Sequence, residues 1–165
     1  MLRKLSFVFG LFFLVSLGAQ AQDKVELFGG YSYFRLDNSP STNLNGWALS
    51  GQYKITDWFG GVADFSGDYG NIAGVGTSIH TFLFGPQVSF PARISPFAHV
   101  LVGAAHSSIG GVGDTAFASA VGFGIDAKVA HGIYWRLIQG DYLATRFGGT
   151  TQNNARVSTG IVFHF

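Results

Sequence analysis

RVSTGIVFHF, residues 156–165, alternates from one end to the other. Val157, Thr159, Ile161, Phe163 and Phe165 fall on one side of an extended chain, and Arg156, Ser158, Gly160, Val162 and His164 on the other. A repeat of two is that of a β-strand, whose successive side chains point to opposite faces. Chain ends are usually frayed and polar. An aromatic, strictly alternating end implies a strand held in place by neighbours.

The opposite end reads as a targeting segment. In MLRKLSFVFGLFFLVSLGAQAQ, Arg3 and Lys4 precede an apolar run from Leu5 to Leu17, and Ala19, Gln20 and Ala21 supply a small-x-small cleavage pattern. The run falls short of the roughly 20 residues that a spanning helix needs. The expected signal peptide is therefore residues 1–21, cleaved after Ala21, and the expected mature domain is residues 22–165.

Composition then narrows the mature chain. It has no cysteine, which excludes a disulfide framework, thiolate metal ligands and a cysteine nucleophile. Charged residues make up 12% of the chain, against about 25% in ordinary globular domains. Net charge is +1, and the leader's Arg3 and Lys4 more than account for it, so nothing points to nucleic acid. The chain is rich in glycine (24) and phenylalanine (17), yet beyond residue 22 it has no continuous apolar run long enough for a spanning helix. An exported, apolar, charge-poor chain without such a helix crosses a membrane only as a closed barrel, because every backbone donor and acceptor must be paired internally.

Eight alternating segments follow: Val25–Arg35, Gly46–Ile55, Phe59–Tyr69, Ser78–Phe90, Pro96–His106, Phe117–Val129, Ile133–Arg146 and Asn154–Phe165. Short turns (TDW, PARIS, AHG) alternate with longer polar stretches (Asp37–Asn45, Gly70–Thr77, Ser107–Thr115, Phe147–Asn153). Segments of about ten residues joined in this way describe an all-β, eight-stranded antiparallel up-and-down transmembrane barrel. In the second segment Trp47, Leu49, Gly51, Tyr53 and Ile55 oppose Ala48, Ser50, Gln52 and Lys54. A membrane barrel turns the apolar face outward and the polar face into the lumen. That assignment places Glu26, Gln52, Lys54, Asp64, Asp68, Gln87, Asp126, Lys128, Arg156 and His164 inside. Both signs are present, so a lumen network can satisfy itself. Tyr31, Tyr33, Trp47, Tyr53, Trp58, Phe59, Phe90, Phe97, Tyr134 and Trp135 fall near segment ends, where aromatic girdles sit. Glycines inside the strands read as relief of crowding in a narrow, curved barrel.

The seventh segment breaks phase. Arg136 shares parity with Ile138, whereas Asp141 shares it with Leu137. A simple strand exposes one of the two charges outward; a β-bulge between them, or a register that brings one to a rim, avoids this. The sequence does not choose between these solutions, and Asp141 is assigned to the lumen network.

Taken together, LFGGYSY (27–33), FLFGPQVSF (82–90), SPFAHVLVGA (95–104), GFGIDAKV (122–129), RLIQGDYLATRFG (136–148) and RVSTGIVFHF (156–165) resemble the small eight-stranded outer-membrane β-barrels of Gram-negative bacteria, the type of the amino-terminal domain of outer membrane protein A. The resemblance implies a monomer in the cell outer membrane with both ends periplasmic. It also implies that Ile161, Phe163 and Phe165 form a signal read by the barrel-assembly machinery. No peptidoglycan-binding domain follows the barrel, so cell-wall anchoring is not expected. Members of the type stabilise the envelope or take part in adhesion, and a few are enzymes.

His106 and Ser108 form an H-x-S pair similar to that of the lipid A deacylases. A serine hydrolase needs a base within reach of the hydroxyl and a third group to orient it, and the sole glutamate, Glu26, lies near the other end of the barrel. The expectation is a non-catalytic barrel with a structural or surface-interaction role and no cofactor, metal or catalytic residue. Outer-membrane lipid is its expected surrounding, and any extracellular contact is made through the loops. A small pore is the alternative, and a deacylase-like enzyme ranks behind it.

Overall fold

The computed structural model describes residues 24–36, 42–72, 74–147 and 150–165. The expected signal peptide lies outside them. Eight strands, β1 (Val25–Leu36), β2 (Thr42–Lys54), β3 (Phe59–Ile72), β4 (Val75–Ser89), β5 (Ile94–Ile109), β6 (Val112–Ala130), β7 (Ile133–Phe147) and β8 (Thr150–His164), form a closed antiparallel barrel in sequence order. The alternating final segment finds its two neighbours in β7 and β1. The β1–β8 seam that closes the barrel sets Gly30 opposite Gly160. A Cβ on Gly30 would overlap the Thr159 carbonyl oxygen, and one on Gly160 would overlap that of Gly29. Only glycine lets the two backbones meet there.

An even strand number brings both described chain ends to one rim, here the terminal rim; the opposite one is the far rim. Terminal-rim turns are short, at residues 55–58, 90–93 and 131–132. In the first, the amides of Ile55 and Thr56 donate to the Phe59 carbonyl at 2.9 and 3.0 Å.

The far-rim connections differ from the sequence expectation. Most of the polar stretches read as loops are strand. β3 and β4 stay paired to Ile72↔Val75, β5 and β6 to Ile109↔Val112, and β7 and β8 to Phe147↔Thr150. Backbone pairing does not need apolar side chains, so polarity alone is a poor guide to where a ladder stops. What stops the β5–β6 ladder is Gly110–Gly111, both left-handed (φ 58° and 87°). That is the requirement of a two-residue hairpin whose twist matches the strands.

The phase conflict in β7 is resolved by a bulge. Ile125 pairs with Ile138, but Asp126 pairs with Arg136, so Leu137 is an extra residue. The same slip recurs against β8, between Arg136 and Gln139. Leu137 and Ile138 consequently both point outward, 42% and 50% exposed, while Arg136, Gln139 and Asp141 are buried.

The inner wall is less polar than expected. Phe34, Leu36, Leu44, Ile79, Leu83, Leu101 and Leu143 form a buried apolar cluster with several alanines, and Phe28 and Val162 belong to a second. Phe97, assigned to the outer girdle by its place near a strand end, is buried inside. Its parity with His99 and Leu101 decides this, whereas Ala98, Val100 and Val102 share the outer face.

Space at the seam yields a test. Gly160→Ala should destabilise the barrel by about 1–3 kcal/mol in urea titrations in detergent, whereas Gly61→Ala, whose new Cβ would meet nothing within 4 Å, should be neutral or slightly stabilising. Equal effects would refute the close approach.

Candidate functional site

The bore holds a dense concentration of chemistry-bearing side chains, and alternation puts it there. Inward positions of β3, β5, β6, β7 and β8 bring Asp64, His99, Asp126, Arg136, Gln139, Asp141 and Arg156 together, all buried. At its centre is Arg156. Its Nη1 lies 2.7 Å from Asp64 Oδ1, and its Nη2 and Nε lie 2.8 and 2.9 Å from Asp141 Oδ2. Asp64 and Arg156 stand on β3 and β8, which are not neighbours, so this ion pair spans the bore.

Asp141 collects further donors. His99 Nε2 donates to its Oδ1 at 2.8 Å, and Gln139 Nε2 to its Oδ2 at 2.9 Å. His99 reaches Asp141 from β5 across β6, passing over Gly122. A Cβ on Gly122 would overlap Asp141 Oδ1 and crowd His99 Nε2, so this glycine is the gap through which the two touch. Arg136 forms a fork with Asp126 (Nε–Oδ1 2.8 Å, Nη2–Oδ2 2.9 Å), and its Nη1 donates to Gln139 Oε1 at 2.7 Å. Its guanidinium sits between the rings of Phe28 and Phe97, 4.4 and 4.2 Å from their centroids. That arrangement offsets the desolvation of a buried cation. Gln139 therefore joins the two arginine clusters into one network. Gln87 donates to Gln52, and Ser66 donates to Asp68 at 3.0 Å.

Of the residues placed inside on sequence grounds, Glu26, Gln52, Asp64, Asp68, Gln87, Asp126, Asp141 and Arg156 are buried. Lys54 and His164 are partly buried at the terminal rim, where Glu26 pairs with Lys54 and lies 3.3 Å from His164 Nε2. Lys128, also placed inside, is exposed at the terminal rim. A register irregularity between Lys128 and Ala130 ends regular pairing at the rim, and its ammonium lies 5.8 Å from the centroid of the Tyr134 ring. Ile161 and Phe163 point outward, and Phe165 is half-buried. Sequence reasoning missed His99, Gln139, Ser32, Thr81, Thr145, Asn154 and Ser158 as inner residues. For His99 the signal was present: Val100 and Val102 on the opposite parity mark it as inward.

His106 and Ser108 lie towards the far rim. His106 is exposed and its Nδ1 is 2.8 Å from Thr115 Oγ1. Among the described residues no bond joins His106 to Ser108 or to a carboxylate, so no base-and-orienter arrangement forms there.

The bore is filled. Arg156, Phe34, Leu44, Leu83, Leu101, Leu143 and Gln139 are each less than 2% exposed. The outside carries the apolar side chains: Phe123 is 70%, Val121 59% and Leu49 51% exposed, and Trp58 and Phe90 stand out at the terminal rim. Breaking the central pair should be costly. Arg156→Met removes the cation that two buried carboxylates share and should cost about 3–5 kcal/mol; adding Asp64→Asn and Asp141→Asn should restore most of it. Urea unfolding of the single and triple variants in detergent checks this, and a neutral single substitution would contradict the bridge.

No protein-family model and no curated protein matches the sequence. Solved structures do. The chain is similar to neisserial surface protein A (TM-score 0.74, 13% identity, 86% of this chain and 97% of that one). It is similar to the attachment invasion locus protein of Yersinia pestis (TM-score 0.55, 14% identity, 86% and 100%). It is also similar to the amino-terminal β-barrel domain of Pseudomonas aeruginosa OprF (TM-score 0.54, 11% identity, 87% and 98%). At these identities the likeness is one of fold: this chain has the small eight-stranded barrel architecture that those bacterial proteins share.

Proposed function

We propose that the protein is an integral outer-membrane barrel with a plugged lumen and a structural role in the envelope. One observation carries the reading: the molecule is inside-out. Arginine and aspartate are buried in the bore, while phenylalanine, valine and leucine cover the outer wall. In water an apolar patch beyond a few hundred Å² is a liability. In hydrocarbon an apolar wall with aromatic residues at the rims is what a barrel requires. On this reading residues 1–21 are a cleaved export signal. Ile161, Phe163 and Phe165 serve both as lipid contacts and as the address for the assembly machinery, and the terminal rim faces the periplasm.

The reading includes no catalysis, since among the described residues His106 and Ser108 are not bonded to one another. A pore is disfavoured because Arg156 and the leucine cluster fill the bore, in keeping with the limited interior of eight strands. The Yersinia relative's name speaks of attachment and invasion. Here the described far-rim hairpin at Gly110–Gly111 is tight and offers little surface of the kind that anchors a partner, which favours the structural reading.

Spin labels at Leu49 and Gln52 check the inside-out assignment: 49 should be accessible to oxygen in the bilayer and 52 should not. In planar bilayers the protein should show no steady porin-like conductance, and such channels would replace the structural reading with the pore.

A further inference from the structure

The terminal mouth of the barrel holds a cavity of about 410 Å³, apart from the Arg156 and Arg136 clusters. Four cationic side chains line it, Lys24, Lys54, Arg93 and Lys128, from four different stretches of chain. Asp57 is the only carboxylate among the described residues that line it. Lys54 is already paired with Glu26. Among the described residues, none of Lys24, Arg93 and Lys128 forms an ion pair, and Lys128 has only the face of Tyr134, 5.8 Å away.

The backbone brings the like charges together. The Lys54 amide donates to the Lys24 carbonyl at 2.7 Å, and the Lys128 amide to the Arg93 carbonyl at 2.8 Å. Two cation–cation neighbours are thus fixed side by side at the same rim, an arrangement that is destabilising in itself. Tyr134 stacks on His164 at 4.0 Å and gives the mouth a rigid wall. A cleft lined by one sign of charge concentrates ions of the other sign. Three uncompensated cations, one a guanidinium fork, match a ligand with at least two negative charges and several acceptor oxygens.

We propose that the terminal mouth is a binding site for a phosphate-class polyanion, either a soluble phosphate compound or the headgroup of an anionic phospholipid. Arg93 and Lys128 form one side of the site, and Lys24 and Lys54 the other. The site opens to water at the rim and does not depend on whether the bore conducts.

The test uses the purified protein in zwitterionic detergent, titrated with inorganic pyrophosphate and followed by backbone amide shifts. A second arm places it in phosphatidylcholine nanodiscs with and without phosphatidylglycerol and measures lipid retention by native mass spectrometry. Saturable shifts at residues 24, 54, 93 and 128, weakened by added salt, identify a soluble ligand class. Selective retention of phosphatidylglycerol identifies the headgroup. Either result should weaken on the order of tenfold in Arg93→Gln/Lys128→Gln. Both side chains are exposed, so this variant should fold, and its circular dichroism and urea midpoint verify that. If neither probe binds the folded protein, or the double variant binds as tightly as the parent, the proposal is overturned.

Discussion

The Arg156 guanidinium, held between Asp64 on β3 and Asp141 on β7, is the interaction on which the interior depends. A buried arginine is tolerable only when its charge and its donors are matched, since an isolated ion loses far more in desolvation than packing returns. Meeting that condition dictates the neighbourhood. Two carboxylates must converge from different walls, and the surplus oxygens of Asp141 must be occupied, which His99 and Gln139 do. Gly122 must lack a side chain so that His99 can reach across. The pair also ties β8 to β3 across the bore, a link the backbone ladder cannot make because those strands do not touch.

The bulge at Leu137 is the backbone's answer to the same requirement. β7 must deliver Arg136, Gln139 and Asp141 inward, and no strand of strict period two can do so. One inserted residue reverses the parity once and turns both Leu137 and Ile138 outward. The bulge thus lets the polar network extend along β7 without presenting a charge on the outer wall. Closure has its own local condition at the opposite side of β8, where Gly30 and Gly160 let the first and last strands meet.

Filling the bore takes two chemistries. Phe34, Leu36, Leu44, Ile79 and Leu143 lie near the far-rim ends of their strands. The ion pairs occupy other inward positions, down to Glu26 and Lys54 at the terminal rim. Such an interior is rigid, because apolar packing and paired charges both penalise opening. Beyond the paired residues, the terminal rim holds cations that the interior does not neutralise, and charge there faces outward to whatever lies beyond the mouth.

Period-two alternation and the absence of a spanning helix made the strand number, the antiparallel closure and the burial of eight of the eleven polar residues assigned to the lumen readable from the sequence. These depend only on side-chain parity, which is local. Strand ends were not readable at the far rim, because hydrogen-bonded ladders continue through polar residues and, between β5 and β6, stop only where Gly110–Gly111 can turn. Phe97 was misplaced because proximity to a strand end does not say on which side of the wall a residue falls, and Lys128, inward by parity, lies exposed at the rim. The conflict between Arg136 and Asp141 was visible, but its resolution was not, since a bulge and a shifted register are equally compatible with one strand's sequence. By itself the sequence determined which residues alternate and therefore that the chain is a barrel of eight strands. Only the tertiary structure decided which charges meet, because the Arg156, Asp64, Asp141 and His99 contacts join residues 15 to 92 positions apart and depend on the curvature of the closed wall.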